Sequence, residues 1–118
     1  MIARLRAGLP YKALEDVVKT LGMSREEVAR ALGISPRTLI RRKQERRLSL
    51  VESERVARLK KLLDRAEEIF ENREYAVNWM KGRIPALGMA IPLSLLDTET
   101  GAREVERVLG RIEHGVFS

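Results

Sequence analysis

The chain has 118 residues, 44% hydrophobic and 34% charged, with a net charge of +6; that is enough for one globular domain or two small helical ones. It has no Cys, which excludes disulfides, Cys-ligated zinc and thiol catalysis. No apolar run approaches the roughly 18 residues of a membrane span, and the start at Met1–Arg6 lacks the long apolar segment of a signal peptide, so no membrane partner and a cytoplasmic location are expected.

The charge is unevenly placed. Met1–Leu62 holds 16 Lys/Arg against 7 Asp/Glu, a net of +9, whereas Leu63–Ser118 holds 7 against 10, a net of −3. A basic half suits a polyanion, most simply DNA. The acidic half suits a different partner.

Apolar residues recur at helical spacing, and no period-2 run is long enough for a strand, so an all-α fold is expected. Met1–Tyr11 is a basic lead-in in which Gly8-Leu9-Pro10 breaks regular structure. Lys12–Leu21 places Leu14, Val17, Val18 and Leu21 on one face, with Gly22 to cap its end. Ser24 and Glu27 have the spacing of a capping box. They open a short helix with Val28, Ala29 and Leu32 as its stripe, closed by Gly33. Ser35 as cap and Pro36 in the first turn start a third helix to about Gln44.

Arg46-Arg47-Leu48 connects to a second capping box, Ser49 with Glu52. From there a long helix should run to about Asn72, with Val56, Leu59, Leu63, Ala66 and Phe70 near one face. A further helix is expected over Glu74–Met80. Gly82, Pro85, Gly88 and Pro92 make the next stretch a loop, but Ile84, Leu87, Met89 and Ile91 should pack it down. Leu93–Leu96 can form one helical turn. Thr98 can cap a last helix with Ala102, Val105, Leu109 and Ile112 on one face, ended by Gly115.

The sharpest mechanistic pattern is Arg25–Lys43. A helix-turn-helix needs a small residue where the helices cross, a Gly in the turn, and apolar residues to lock the pair. Ala29, Gly33 and Leu39 supply these, with Val28, Leu32 and Ile34 completing the wedge. In such a motif the second helix enters the major groove. Ser35, Arg37, Thr38 and Arg41 are then candidates at or near base edges, and Arg42, Arg46 and Arg47 candidates for phosphates. The plainer alternative is a helical hairpin with a basic surface; six basic residues between Arg37 and Arg47 weigh against it.

Catalysis finds little support. His114 is the single His, and no phosphate loop, metal-ligand set or nucleophile–base pair is visible. Glu67, Glu68, Glu71 and Glu74 read as a solvated helix face. No metal and no cofactor are expected. Trp79 can be a core anchor or an interface residue.

From Ser35 onward the chain resembles the Xre/MbcA/ParS family of antitoxins. The early signature is Ser35-Pro36-Arg37-Thr38-Leu39 followed by Arg41-Arg42. A later and more specific set comprises Ala66-Glu67, Phe70, Trp79, Pro85-Ala86-Leu87-Gly88, Pro92-Leu93 and Leu95-Leu96-Asp97-Thr98. It continues with Gly101-Ala102 and the closing run Gly110 to Ser118. The resemblance covers nearly the whole chain and is weakest over the first ten residues. This chain departs from the family pattern at Lys43, where Leu is frequent, and near Arg46, where Gly is frequent.

The resemblance implies an N-terminal helix-turn-helix, a long helix and a small helical toxin-binding domain, here divided as 1–48 and 49–118. It implies an antitoxin of a type II toxin–antitoxin system. Its partner would be a RES-domain toxin, with an ADP-ribosyltransferase-like fold that consumes NAD or uses it to modify a target. The antitoxin would block the toxin's active site with its C-terminal region and repress its own operon at operator DNA; a homodimer is expected. The toxin-binding candidates are Arg111, His114, Gly115, Val116, Phe117 and Ser118. Phe117 is an apolar group near the chain end, and Gly115 could serve as a joint that lets it reach a partner's pocket or fold back. The alternative is a stand-alone transcriptional regulator whose C-terminal half only dimerises; a helical adaptor without a DNA role is a third reading.

Overall fold

The computed structural model describes residues 8–115, and the chain divides between Ala57 and Arg58 into two compact units. The all-α expectation holds: the described residues form six α-helices and two short 3₁₀ turns, with only isolated β-bridges. The helices are α1 (Lys12–Leu21), α2 (Arg25–Ala31), α3 (Pro36–Glu45), α4 (Leu50–Phe70), α5 (Arg73–Lys81) and α6 (Glu99–Glu113).

Local capping sets most of these boundaries. Gly22 ends α1 in the left-handed conformation, its N–H bonded to the carbonyls of Val18 and Lys19. Ser24 and Glu27 close both bonds of a capping box at α2. Ser35 Oγ accepts from Thr38 N–H at 3.2 Å, with Pro36 in the first turn of α3. Ser49 and Glu52 repeat the box at α4: Glu52 N–H reaches Ser49 Oγ at 3.2 Å, and Ser49 N–H reaches Glu52 Oε1 at 2.9 Å. The long helix stops at Phe70 rather than near Asn72. Glu71 takes φ 53°, and Asn72 instead caps α5 through Tyr75 N–H at 2.8 Å.

In the N-terminal unit Leu14, Val17, Leu21, Val28, Leu32, Ile34, Leu39, Leu48 and Val56 are buried together. The segment before α1 is fastened at several points. Leu9 N–H donates to Ser53 Oγ at 2.7 Å, and the Ser53 hydroxyl donates to Ser49 O at 2.6 Å. Leu48 N–H donates to Leu9 O at 2.9 Å, and Tyr11 N–H to Arg46 O at 3.1 Å. The end of α3 is tied to the start of α4 by Arg42, whose Nε donates to Glu52 Oε1 at 2.7 Å while its Nη1 reaches Glu45 at 3.0 Å. Burial pushes the Glu52 carboxyl up, but the bonds from Arg42 and from Ser49 N–H together outweigh it and hold the carboxyl below its ordinary value.

In the C-terminal unit Leu59, Leu62, Leu63 and Ala66 of α4 are buried, as are Ala76 and Met80 of α5 and Ala102, Val105, Val108 and Leu109 of α6. The loop expected between α5 and α6 is more ordered than its Gly and Pro content suggests. Ile84 and Ala90 pair as a bridge around a 3₁₀ turn at Pro85–Leu87, and a second turn at Pro92–Leu95 buries Pro92 and Leu93. Arg58 Nη1 donates to Leu96 O at 3.2 Å. Thr98 caps α6 through Gly101 N–H at 3.0 Å. Gly101 is there because α6 approaches the preceding turn closely: a Cβ at this position would lie 2.1 Å from Leu95 O.

Two predictions follow from this packing. Glu52→Ala removes a helix cap and leaves Arg42 with Glu45 alone, and should cost about 1–3 kcal/mol in urea unfolding. Glu52→Gln keeps a capping group and should cost less. Because the folded carboxyl sits low, the charge-dependent part of its contribution is complete above the ordinary pKa of about 4.3 and is lost as the pH falls through the lower folded value. Glu52→Gln should therefore flatten the acid limb of the stability profile. In α6, Gly101→Ala should destabilise by about 1–3 kcal/mol through overpacking against Leu95. Gly110→Ala in the same helix meets nothing within 4 Å, and should stabilise by about 0.5–1 kcal/mol. Thermal melts of the two variants on either side of wild type check the pair.

Candidate functional site

The turn between α2 and α3 is built as a helix-turn-helix requires. Ala29 is 1% exposed where the helices cross, Gly33 takes φ 74°, and Ile34 N–H donates back to Ala29 O at 2.8 Å. Leu39 is buried and fixes the rotation of α3. At about 100° per residue, the side opposite Leu39 and Arg42 has Arg37 and Gln44 at its centre, with Arg41 and Ile40 on either flank. All four are exposed.

The candidate DNA-facing residues are thus held in different ways. Ser35 and Thr38 serve the cap: the Ser35 hydroxyl donates to Thr38 Oγ1 at 3.0 Å and its Oγ accepts from Thr38 N–H. Arg37 and Arg41 point outward. Arg42 is drawn inward to Glu52 and Glu45, and these bonds raise its pKa further, so it braces the helix from behind. Arg46 and Arg47 are exposed in the connector, where Arg46 takes φ 60° and Arg47 bridges Pro10. That positive φ explains the resemblance's preference for Gly near this position, since Gly adopts it at no steric cost. Ile40 and Gln44 were not singled out in the sequence; counting outward from Leu39 at helical spacing would have found them.

In the C-terminal unit the candidate toxin-facing residues cluster at the end of α6. Arg111, His114 and Gly115 are exposed, and Gly115 takes φ 74°. His114 Nε2 lies 4.0 Å from Glu113 Oε1, and Glu113 also accepts from Arg65 at 2.9 Å. Val116, Phe117 and Ser118 lie outside the described residues. Elsewhere in this unit Phe70 has the Tyr75 ring at 4.8 Å and the Trp79 ring at 5.9 Å. Trp79 is half-buried while Tyr75 is 58% exposed. Pro85, Ala86 and Gly88 are exposed, and Leu87 is half-buried. In the acidic group Glu67 pairs with Arg73. Among the described residues no cluster of His, Asp and Glu is placed to hold a metal, and no helix is long and apolar enough to cross a membrane.

Comparison with known proteins assigns each half. Residues 1–59 match the antitoxin Xre-like helix-turn-helix domain. Residues 65–115 match the antitoxin Xre/MbcA/ParS C-terminal toxin-binding domain. Over its full length the chain is 38% identical to the antitoxin Xre of Yersinia enterocolitica, of which it spans 81%. It is 36% identical to the antitoxin Xre of Photorhabdus laumondii, with 98% of this chain and 80% of that one aligned. A protein of a Sphingobium species named Prs ADP-ribosylating antitoxin is 28% identical over 99% of this chain and 80% of its own. An outward basic face on a helix-turn-helix, followed by a helical unit that matches the toxin-binding domain, places the chain in the Xre/MbcA/ParS family of antitoxins.

Proposed function

We propose that the chain neutralises a RES-domain toxin by occluding its active site, and that it represses its own operon by binding operator DNA as a homodimer. The observation that carries this reading is the pairing of the two family matches with two differently charged halves. The basic half carries Arg37 and Arg41 outward on α3, and the acidic half matches a toxin-binding domain. The name of the Sphingobium relative links an antitoxin of this kind to ADP-ribosylation, which fits a partner with an ADP-ribosyltransferase-like fold.

In this reading Arg37 and Arg41 face base edges with Thr38 at their side, and Arg46 and Arg47 contact phosphates. Ser35 and Arg42 hold α3 in register. The DNA-reading region is 1–48 and the toxin-binding region 49–118. The compact unit around α3 extends to Ala57, so the first turns of α4 support the DNA-reading region from outside it. At the other end Arg111 and His114 meet polar groups of the toxin's nucleotide site, and the segment Gly115 to Ser118 enters its pocket.

Arg37→Ala and Arg41→Ala should each weaken binding to a specific operator by about 1–3 kcal/mol, the worth of a good base contact. Binding to random DNA should fall much less; equal losses on both DNAs would place these residues on phosphates. Half-sites should be about one helical turn apart, as a two-fold dimer demands, and footprinting reads this directly.

Deleting 116–118, or Phe117→Asp, should impair toxin neutralisation and leave folding nearly intact. Loss of a buried Phe is worth roughly 1.5–3 kcal/mol, or one to two orders of magnitude in affinity. Titration of toxin activity at nanomolar concentration measures this where co-purification does not. Full inhibition by the truncated chain at one equivalent would move the block to Arg111, His114 or the Pro85–Gly88 loop.

A further inference from the structure

The outward face of α3 carries one residue that neither the core nor phosphate binding explains. Ile40 is 63% exposed, more than any other large apolar side chain among the described residues. The core position beside it is filled by Leu39, which is 7% exposed. Single exposed apolar residues are ordinary on a protein surface; the neighbours of this one set it apart. Arg37 lies one turn before it and Gln44 one turn after, both exposed, with Arg41 adjacent. A β-branched residue at an exposed helical position gives up helix propensity relative to Ala. On a surface that only gathers phosphates it would also dilute the positive charge.

On a surface that reads bases, Ile40 has a specific partner. The C5-methyl of thymine is the apolar group presented in the major groove, and apolar side chains contact it. We propose that Ile40 is a specificity-determining residue that seats against a thymine C5-methyl and selects T at one position of each half-site. This rests on the DNA-reading function proposed above. One helical turn of about 5.4 Å spans one to two base steps of about 3.4 Å. The selected thymine therefore lies within two base pairs of the base that Arg37 reads.

The test uses the full chain and duplexes it enriches from a random-sequence pool. The enriched duplex is resynthesised with deoxyuridine in place of thymidine, one position at a time, which removes only the methyl. Wild type should lose about fourfold in affinity at one position per half-site, the worth of one buried methyl. Ile40→Ala should bind the thymidine duplex about fourfold more weakly and be indifferent to deoxyuridine at that position. Arg37→Ala should keep the wild-type response there. Ile40 is exposed and Ala favours helix, so the variant tests contact and not folding.

Enriched duplexes on which wild type ignores every deoxyuridine would overturn the proposal while leaving DNA reading intact. An Ile40→Ala variant as methyl-sensitive as wild type would also overturn it. If that variant altered molar mass by light scattering and kept the methyl response, Ile40 would be a contact between copies of the chain and the proposal would fall. If no sequence is enriched over the pool, DNA reading itself fails, and this inference fails with it.

Discussion

The Glu52 carboxylate serves two helices at once. It closes the capping box that starts α4, accepting Ser49 N–H at 2.9 Å, and it receives Arg42 Nε at 2.7 Å from the last turn of α3. The exit of α3 and the entry of α4 are thereby referred to one group. Its side chain is 10% exposed, so water screens these bonds poorly; without Glu52, Arg42 keeps only the more exposed Glu45, and without Arg42, Glu52 keeps only the Ser49 N–H. The outward direction of Arg37 and Arg41 is a consequence of this arrangement together with the burial of Leu39.

A division of labour runs along α3. Ser35 and Thr38 satisfy its N-terminus, Leu39 and Arg42 face the protein, and Arg37, Ile40, Arg41 and Gln44 face away. The count of basic residues near this helix overstates the charge available to a polyanion, because Arg42 is compensated internally by Glu52 and Glu45. What the outward face offers is a mixture of two guanidinium groups, one amide and one branched aliphatic group. Such a mixture suits discrimination between base pairs more than bulk electrostatic attraction.

Features that depend on neighbours in sequence were legible from the residues alone. The caps at Ser24, Ser35, Ser49 and Thr98 each need only a partner three residues away, and all form. The apolar stripes of α1 and α6 follow from period alone. Contacts between distant residues were not legible. Nothing local announces that Glu52 receives Arg42, that Ile84 pairs with Ala90, or that a Cβ at position 101 would strike Leu95 O. The conformation of Arg46 was hidden for a related reason. Its φ of 60° is imposed by the return of the chain to Pro10 and Tyr11, against the preference of an Arg side chain. For the candidate site, the second helix of the motif and its inward Leu39 were legible in the sequence. The inward turn of Arg42 was not, because its partner Glu52 lies on the next helix.

Ser53 carries a consequence for the order in which the N-terminal unit can assemble. Its buried hydroxyl donates to Ser49 O within α4 and accepts from Leu9 N–H, 44 residues earlier. Closing a loop of that length costs roughly 3 kcal/mol in chain entropy. The helix pair α2–α3 can form from near neighbours without that cost. The Leu9 N–H finds its acceptor only when α4 is in place, whereas Leu9 O and Tyr11 N–H bond to Leu48 and Arg46 in the connector before it. The Leu9 amide is therefore expected to gain its bond after the helix pair has formed and to lose it first on unfolding. Native-state hydrogen exchange would show it as an amide opening at a lower free energy than those of Leu32 or Leu39, although its acceptor is one of the most deeply buried side chains of the unit.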